Sequence, residues 1–181
     1  MKIISKIYIT TALILILVAF AEIFVAVSYY KNKQNSGVSY SISQIDSKAN
    51  FPYLANVVSE TQNNTNFRKV LFTGTRSQLV IMNIPVGGEV GSETHTYTEQ
   101  TLFFLSGSGE AILNGKVSPI NPGDVVVVTP GTQHNFINTG TVPLKIYTVY
   151  APPNHIEGTV EATKSDADKN AKDEAYGNQP K

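Results

Sequence analysis

Two histidines, a glutamate and a glutamine stand at spacings that could build a metal centre. Glu93 and His95 are two positions apart, so on an extended strand both side chains point to one face. His134 follows Pro130-Gly131, a tight turn that would let its strand run back across the same space. A carboxylate and two imidazoles converging on one point form the two-histidine, one-carboxylate set that suits Fe(II), and also Mn, Ni or Zn. Gln100 could add an amide oxygen as a fourth, weaker donor. Strict alternation from Glu93 and His95 would instead bring Tyr97 and Glu99 to that face, so Glu99 competes with Gln100 for the place. His155 is the third histidine of the chain and lies past the last expected strand, where it reads as structural or exposed. The competing reading of the set is a barrel whose polar interior holds water or a small ligand without metal.

The elements that would position these groups are short strands. From Phe67 onward the chain alternates β-type runs with turn residues. The expected strands are Lys69–Thr73, Gln78–Ile84, Glu93–His95, Leu102–Leu105, Glu110–Leu113, Val125–Val128, His134–Ile137 and Leu144–Tyr150. Between them stand Val86-Gly87-Gly88, Ser106-Gly107-Ser108-Gly109, Asn114-Gly115, Asn121-Pro122-Gly123, Pro130-Gly131 and Asn138-Thr139-Gly140. Asn-Gly is the strongest of these signals, because a type I′ hairpin turn needs positive φ at both central positions. Many evenly spaced strands with no helical periodicity between them indicate an all-β sandwich, jelly roll or barrel. In such a fold Gly87, Gly107, Gly123 and Gly131 form turns, and Asn138 fixes the turn after its strand. Phe103, Phe104, Phe136 and Tyr147 would serve as core and pocket wall.

The remainder of the chain divides into three pieces. Residues 1–30 hold the long apolar run from Ile7 to Tyr30, with Glu22 as its single charge. A helix needs about 20 apolar residues to cross a bilayer, so the run is long enough for one N-terminal transmembrane helix. Ala19-Phe20-Ala21 would suit signal cleavage and secretion, but apolar residues continue through Ile23 to Val27 and favour a retained single-pass anchor. Lysines flank both sides, and the short N-terminal tail leans the orientation toward a barrel on the outer side. Residues 31–66 are rich in Ser, Asn and Gln, with a short apolar patch at Phe51 to Val58, and read as a polar linker with at most one turn of structure resting on the barrel. Residues 67–151 carry the strands. Residues 152–181 become charged and poor in large apolar groups, and read as a polar C-terminal tail, mobile or forming a short helix around Lys164–Ala175. The 181 residues contain 14 basic and 14 acidic side chains, a balance that argues against a nucleic-acid partner. Absence of cysteine excludes disulfides and thiolate metal sites.

The spacings around the candidate ligands resemble the two motifs of the cupin superfamily. Gly87 is followed by five residues, Glu93-Thr94-His95, four residues, Gln100, six residues and Gly107. Gly123 is followed by five residues, Thr129-Pro130-Gly131, two residues, His134, three residues and Asn138. Three identities depart from the usual motifs: Glu93 replaces the first histidine, Gln100 the glutamate, and Thr129 a proline. The first two together keep one negative charge in the ligand set, so they read as an exchange of roles, and the Gly107 spacing favours Gln100 over Glu99. The chain is most similar to small single-domain cupins of the mannose-6-phosphate isomerase-like group, along Phe67 to Leu71, Ser77 to Val80, His134-Asn135 and Tyr147 to His155. The resemblance implies a double-stranded β-helix, a divalent metal, a small-molecule ligand and a tendency to homodimerise. It leaves the reaction open, because the fold hosts enzymes and binding modules alike. The reading that results is a metal-binding cupin holding a sugar or organic acid, as a metal-dependent isomerase or oxygenase. The alternative is a non-catalytic binding or structural module tethered to a membrane. Lys116, between the two motifs, is the only Lys or Arg from Gly87 to Asn138, which weakens a sugar-phosphate substrate.

Overall fold

The computed structural model describes residues 52–180. The expected anchor or signal segment, 1–30, and the linker up to residue 51 lie outside the described residues. Among the described residues no helix is long and apolar enough to cross a membrane.

Two antiparallel sheets face each other. In chain order the strands are β1 (Arg68–Thr73), β2 (Gln78–Ile84), β3 (Glu93–Thr94), β4 (Glu99–Ser106), β5 (Gly109–Leu113), β6 (Lys116–Ile120), β7 (Val125–Val128), β8 (Gln133–Ile137), β9 (Leu144–Ala151) and β10 (Val160–Glu161). One sheet has the order β10-β1-β2-β9-β4-β7, the other β3-β8-β5-β6. This is an all-β fold, as the turn and strand pattern indicates, and the double-stranded β-helix that the resemblance implies.

Side-chain alternation fixes what each sheet turns inward. On β9, Leu144, Ile146, Thr148 and Tyr150 are buried, while the residues between them are less so. Register then sorts the inward rows into an apolar end and a polar end. Ile84 pairs with Leu144 and Phe104 with Ile146, whereas Gln78 and Gln100 both pair with Tyr150. On β8, Phe136 faces Ala111 of β5, and His134 faces Glu93 of β3. Phe104 and Phe136, with ring centroids 5.5 Å apart, join the two sheets across the apolar end. The core therefore closes the floor of the barrel and leaves the polar rows at its mouth.

Local chemistry explains the turns. Asn114 and Gly115 take φ of 48° and 78°, the left-handed pair that a type I′ hairpin demands. Asn138 is fully buried: its amide donates to the carbonyls of Ile84 and Val142, both at 2.9 Å, and its oxygen accepts from Gly140 N at 3.0 Å. Strand β6 was not anticipated because Pro119 interrupts it. It forms at the edge of its sheet, where a missing backbone donor costs nothing.

The segments flanking the barrel are more ordered than a linker and a mobile tail, and helical turns form where a turn and a short helix are expected. Within the stretch read as linker, α1 (Val57–Asn63) forms behind the N-cap Asn56, whose side chain accepts from Ser59 N. Tyr53 stacks on Phe72 of β1 at 5.3 Å, and Lys145 of β9 donates to the Asn64 carbonyl. The stretch read as a polar tail is built into the fold: β10 pairs with β1, and α2 (Lys164–Asp168) and α3 (Ala171–Gly177) follow. Few large apolar residues hold it. Its order comes from the capping box of Thr163 and Asp166, the N-cap Asn170, and buried ion pairs to β1.

Candidate metal centre and ligand cleft

Strands β3 and β8 bring the candidate ligands together at the barrel mouth. Glu93 Oε1 lies 3.3 Å from both His95 Nε2 and His134 Nε2, and the three ligand atoms fall within 4.8 Å of one another. His134 Nδ1 is 2.9 Å from the Thr132 carbonyl, which can only accept, so Nδ1 carries the proton and Nε2 presents its lone pair. Both Nε2 atoms are buried and neither makes a hydrogen bond of good geometry. Buried polar atoms are nearly always satisfied. Two orphaned imidazole nitrogens facing one carboxylate oxygen are what a cation with nitrogen and oxygen ligands requires, so the residues fit a divalent ion.

The electrostatics agree. Burial alone would raise the pKa of the Glu93 carboxyl, but the adjacent His134 and His95 hold it well below the usual carboxylate range. Burial opposes the charging of His134, and Glu93 with the Thr132 carbonyl outweighs it, so its pKa is raised. The cluster draws positive charge toward Glu93, whether as protons or as a metal ion.

Gln100 and Glu99 point to opposite faces. Gln100 is 1 % exposed and its Oε1 has no partner, while Glu99 is exposed. Strict alternation fails here because a bend at Thr96-Tyr97 separates β3 from β4 and resets the phase: His95, Thr98 and Gln100 are buried, and Tyr97 is not. Gln100 Nε2 donates to the Tyr150 hydroxyl at 2.8 Å. Phe104 and Phe136 belong to the core as anticipated. Phe103 and Tyr147 instead stack at 4.8 Å on the outer face, where alternation along β4 and β9 sends them.

A cleft of about 540 Å³ opens over the mouth. Glu93, His95 and Gly91 line its barrel side, while Asn154, His155 and Lys164 come from the C-terminal segment. A second polar cluster borders it, and sequence reasoning missed it. Arg68 Nε donates to Glu161 at 2.7 Å, and His155 Nδ1 lies 2.6 Å from Asp173 Oδ2. Ile156 N donates to Asp173 Oδ1 at 2.7 Å, and Asn170 donates to Glu161 at 2.9 Å. Arg68 Nη1 stands 3.4 Å from His155 Nε2. Arginine can only donate, so His155 Nε2 is the acceptor and Nδ1–H is given to Asp173; the ring is neutral. His155 is thus structural, as read, and buried rather than exposed.

Protonation of His155 would set an N–H against the guanidinium. Burial first, and then Arg68, lower its pKa against the opposing pull of Asp173. The Asp173 carboxyl is also lowered: burial would raise it, but His155, the Ile156 amide and Arg68 outweigh that. Both signs run the same way. The unfolded chain binds more protons than the folded one below about 6.5 for His155 and below about 3.8 for Asp173, so stability falls on acidification through each value. The unfolding temperature should therefore drop from pH 7.5 to 5 more steeply in the wild type than in His155→Gln, which has no ring to titrate. Equal slopes in a pH series of thermal melts would contradict the neutral assignment.

The family model described as Cupin domain matches residues 80–150. The YrkC protein of Bacillus subtilis is 38% identical over 122 residues, which cover 64% of this chain and 66% of that one. The crystal structure of the Bacillus halodurans protein BH2720 superposes with a TM-score of 0.64 at 35% identity, over 66% of this chain and 96% of the other. A 68-residue stretch is 35% identical to the oxalate-binding protein of Thermotoga maritima, covering 38% of this chain and 56% of that protein. The chain belongs to the cupin family. It is a small cupin with a Glu-His-His triad that could hold a divalent metal at its mouth.

Proposed function

We propose that this cupin is a metal-dependent binder of a small organic acid. Glu93, His95 and His134 hold the ion, Gln100 Oε1 stands as the fourth protein donor, and the acid reaches it through the cleft. The observation that carries this reading is the pair of unpartnered, buried Nε2 atoms beside Glu93 Oε1. The donor set suits Fe(II), Mn, Ni or Zn. When bound, such an ion supplies a Lewis acid that polarises a carboxylate or carbonyl oxygen.

An acid fits the surroundings better than a sugar phosphate. The two basic side chains at the cleft are already committed, Lys164 to Asp168 at 2.8 Å and Arg68 to Glu161 at 2.7 Å. Arg68 is held in a buried pair, and Lys164, in an exposed one, is a lone surface cation, which leaves the metal as the stronger anchor for an anion. The likeness to a protein named for oxalate binding supports the same class. An isomerase or oxygenase activity would be built on this centre, and would appear as consumption of the bound acid. The expected anchor at residues 1–30 would hold the barrel at the outer side of a membrane, which protease accessibility in intact cells tests.

Oxalate titrated calorimetrically into the full chain should bind after loading with Mn(II) and lose its binding after the metal is stripped. The same affinity with and without metal would contradict the reading and favour a binding module that uses hydrogen bonds alone.

A further inference from the structure

Tyr150 occupies a position that the triad alone does not explain. It is 1 % exposed and sits where β9 meets both Gln78 and Gln100. Its ring is held from two sides: His95 meets it edge to face at 5.7 Å, and His155 meets it at 5.0 Å and 90°. The aromatic ring therefore bridges the candidate metal centre and the C-terminal ion cluster, and its hydroxyl has little freedom to move.

A phenol hydroxyl can accept and donate. Gln100 Nε2 fills the accepting side at 2.8 Å. That orientation of the amide is the one that leaves Gln100 Oε1, unpartnered and buried, free to meet a cation. With the amide so placed, the hydroxyl keeps its own proton, and no acceptor among the described residues takes it. A buried donor left unmatched costs about 1–3 kcal/mol, so an oxygen brought in with the ligand is the natural recipient.

We infer that the Tyr150 hydroxyl donates a hydrogen bond to an oxygen of the acid held at the Glu93–His95–His134 centre. The inference rests on the metal-and-acid reading above and adds a ligand-binding residue to it. Tyr150 thereby selects for ligands with an accepting oxygen beside the metal-bound one, as in a carboxylate or an α-oxo or α-hydroxy acid, over a simple monodentate anion.

Tyr150→Phe keeps the ring and removes only the hydroxyl. The full-length variant should take up as much Mn(II) as the wild type and melt close to it, while its dissociation constant for oxalate rises roughly ten- to hundredfold, as expected for a hydrogen bond to a charged oxygen. Its affinity for azide, a monodentate anion, should change far less. Unchanged oxalate affinity at unchanged metal content would overturn the role of Tyr150 and leave the metal reading standing. Loss of metal in the variant would also overturn it, because the hydroxyl would then be serving Gln100 rather than the ligand. A wild type that takes up metal but not oxalate removes the acid reading, and the donor role with it.

Discussion

His134→Ala should lose metal binding by about 100-fold or more while the barrel stays folded. Replacing groups that merely orient a ligand costs 10- to 100-fold in metal affinity, and His134 presents the ligand atom itself. Its side chain is buried between β3 and β5, so no neighbouring side chain can swing in from solvent to replace it. The fold should survive because the apolar core, with Phe104, Leu102 and Ile146, keeps its own packing, and within it only Phe136 loses a ring neighbour, at 5.9 Å. Competition titration with a chromophoric chelator would read the affinity, and far-ultraviolet circular dichroism the fold. Retained affinity within a few-fold of wild type would remove His134 from the ligand set.

The largest expected effect on stability lies outside the triad, at Asp173→Ala. Asp173 accepts from His155 and from the backbone of Ile156, and its Oδ2 lies 3.6 Å from Arg68 Nη2. The side chains of Asp173, His155 and Arg68 are 3, 4 and 11 % exposed, so solvent cannot replace what the carboxylate supplies. Removing one member of a buried charged group leaves the others unpaired and costs about 3–5 kcal/mol. Urea unfolding should show a loss of that order, and hydrogen exchange should show it first along β10 and α3. A loss below about 1 kcal/mol, the value of a surface pair, would mean that the C-terminal segment is only loosely docked.

The two sites were unequally legible in the sequence because they are encoded differently. Glu93 and His95 share a face through a spacing of two, and His134 follows a Pro-Gly turn, so both contributions can be read within a few residues. The strands Gln78–Ile84 and Val125–Val128 came out with the bounds they have, since turn residues bracket each of them. The Gln100 face could not be derived from alternation alone. The bend at Thr96-Tyr97 shifts the phase by one residue, and only the wider motif spacing pointed to the right side. The C-terminal cluster had no local signal. Arg68 and Glu161 are 93 positions apart, β10 is two residues long, and α2 and α3 depend on caps rather than on an apolar stripe. Polar composition allowed a mobile tail or a short surface helix around Lys164–Ala175; helical turns form there, and the buried polar pairing that docks them left no trace in composition. The cleft that this segment walls in was therefore invisible as well, along with the placement of Asn154, His155 and Lys164 at its edge.

The central claim is a divalent ion on Glu93, His95 and His134, and metal content tests it most directly. The full chain, purified without chelator, would be analysed by elemental mass spectrometry beside Glu93→Ala and the double variant His95→Ala/His134→Ala. Near-stoichiometric Fe, Mn, Ni or Zn in the wild type, absent from both variants, is the predicted result. A wild type that carries no metal even after soaking with each of these ions would contradict it.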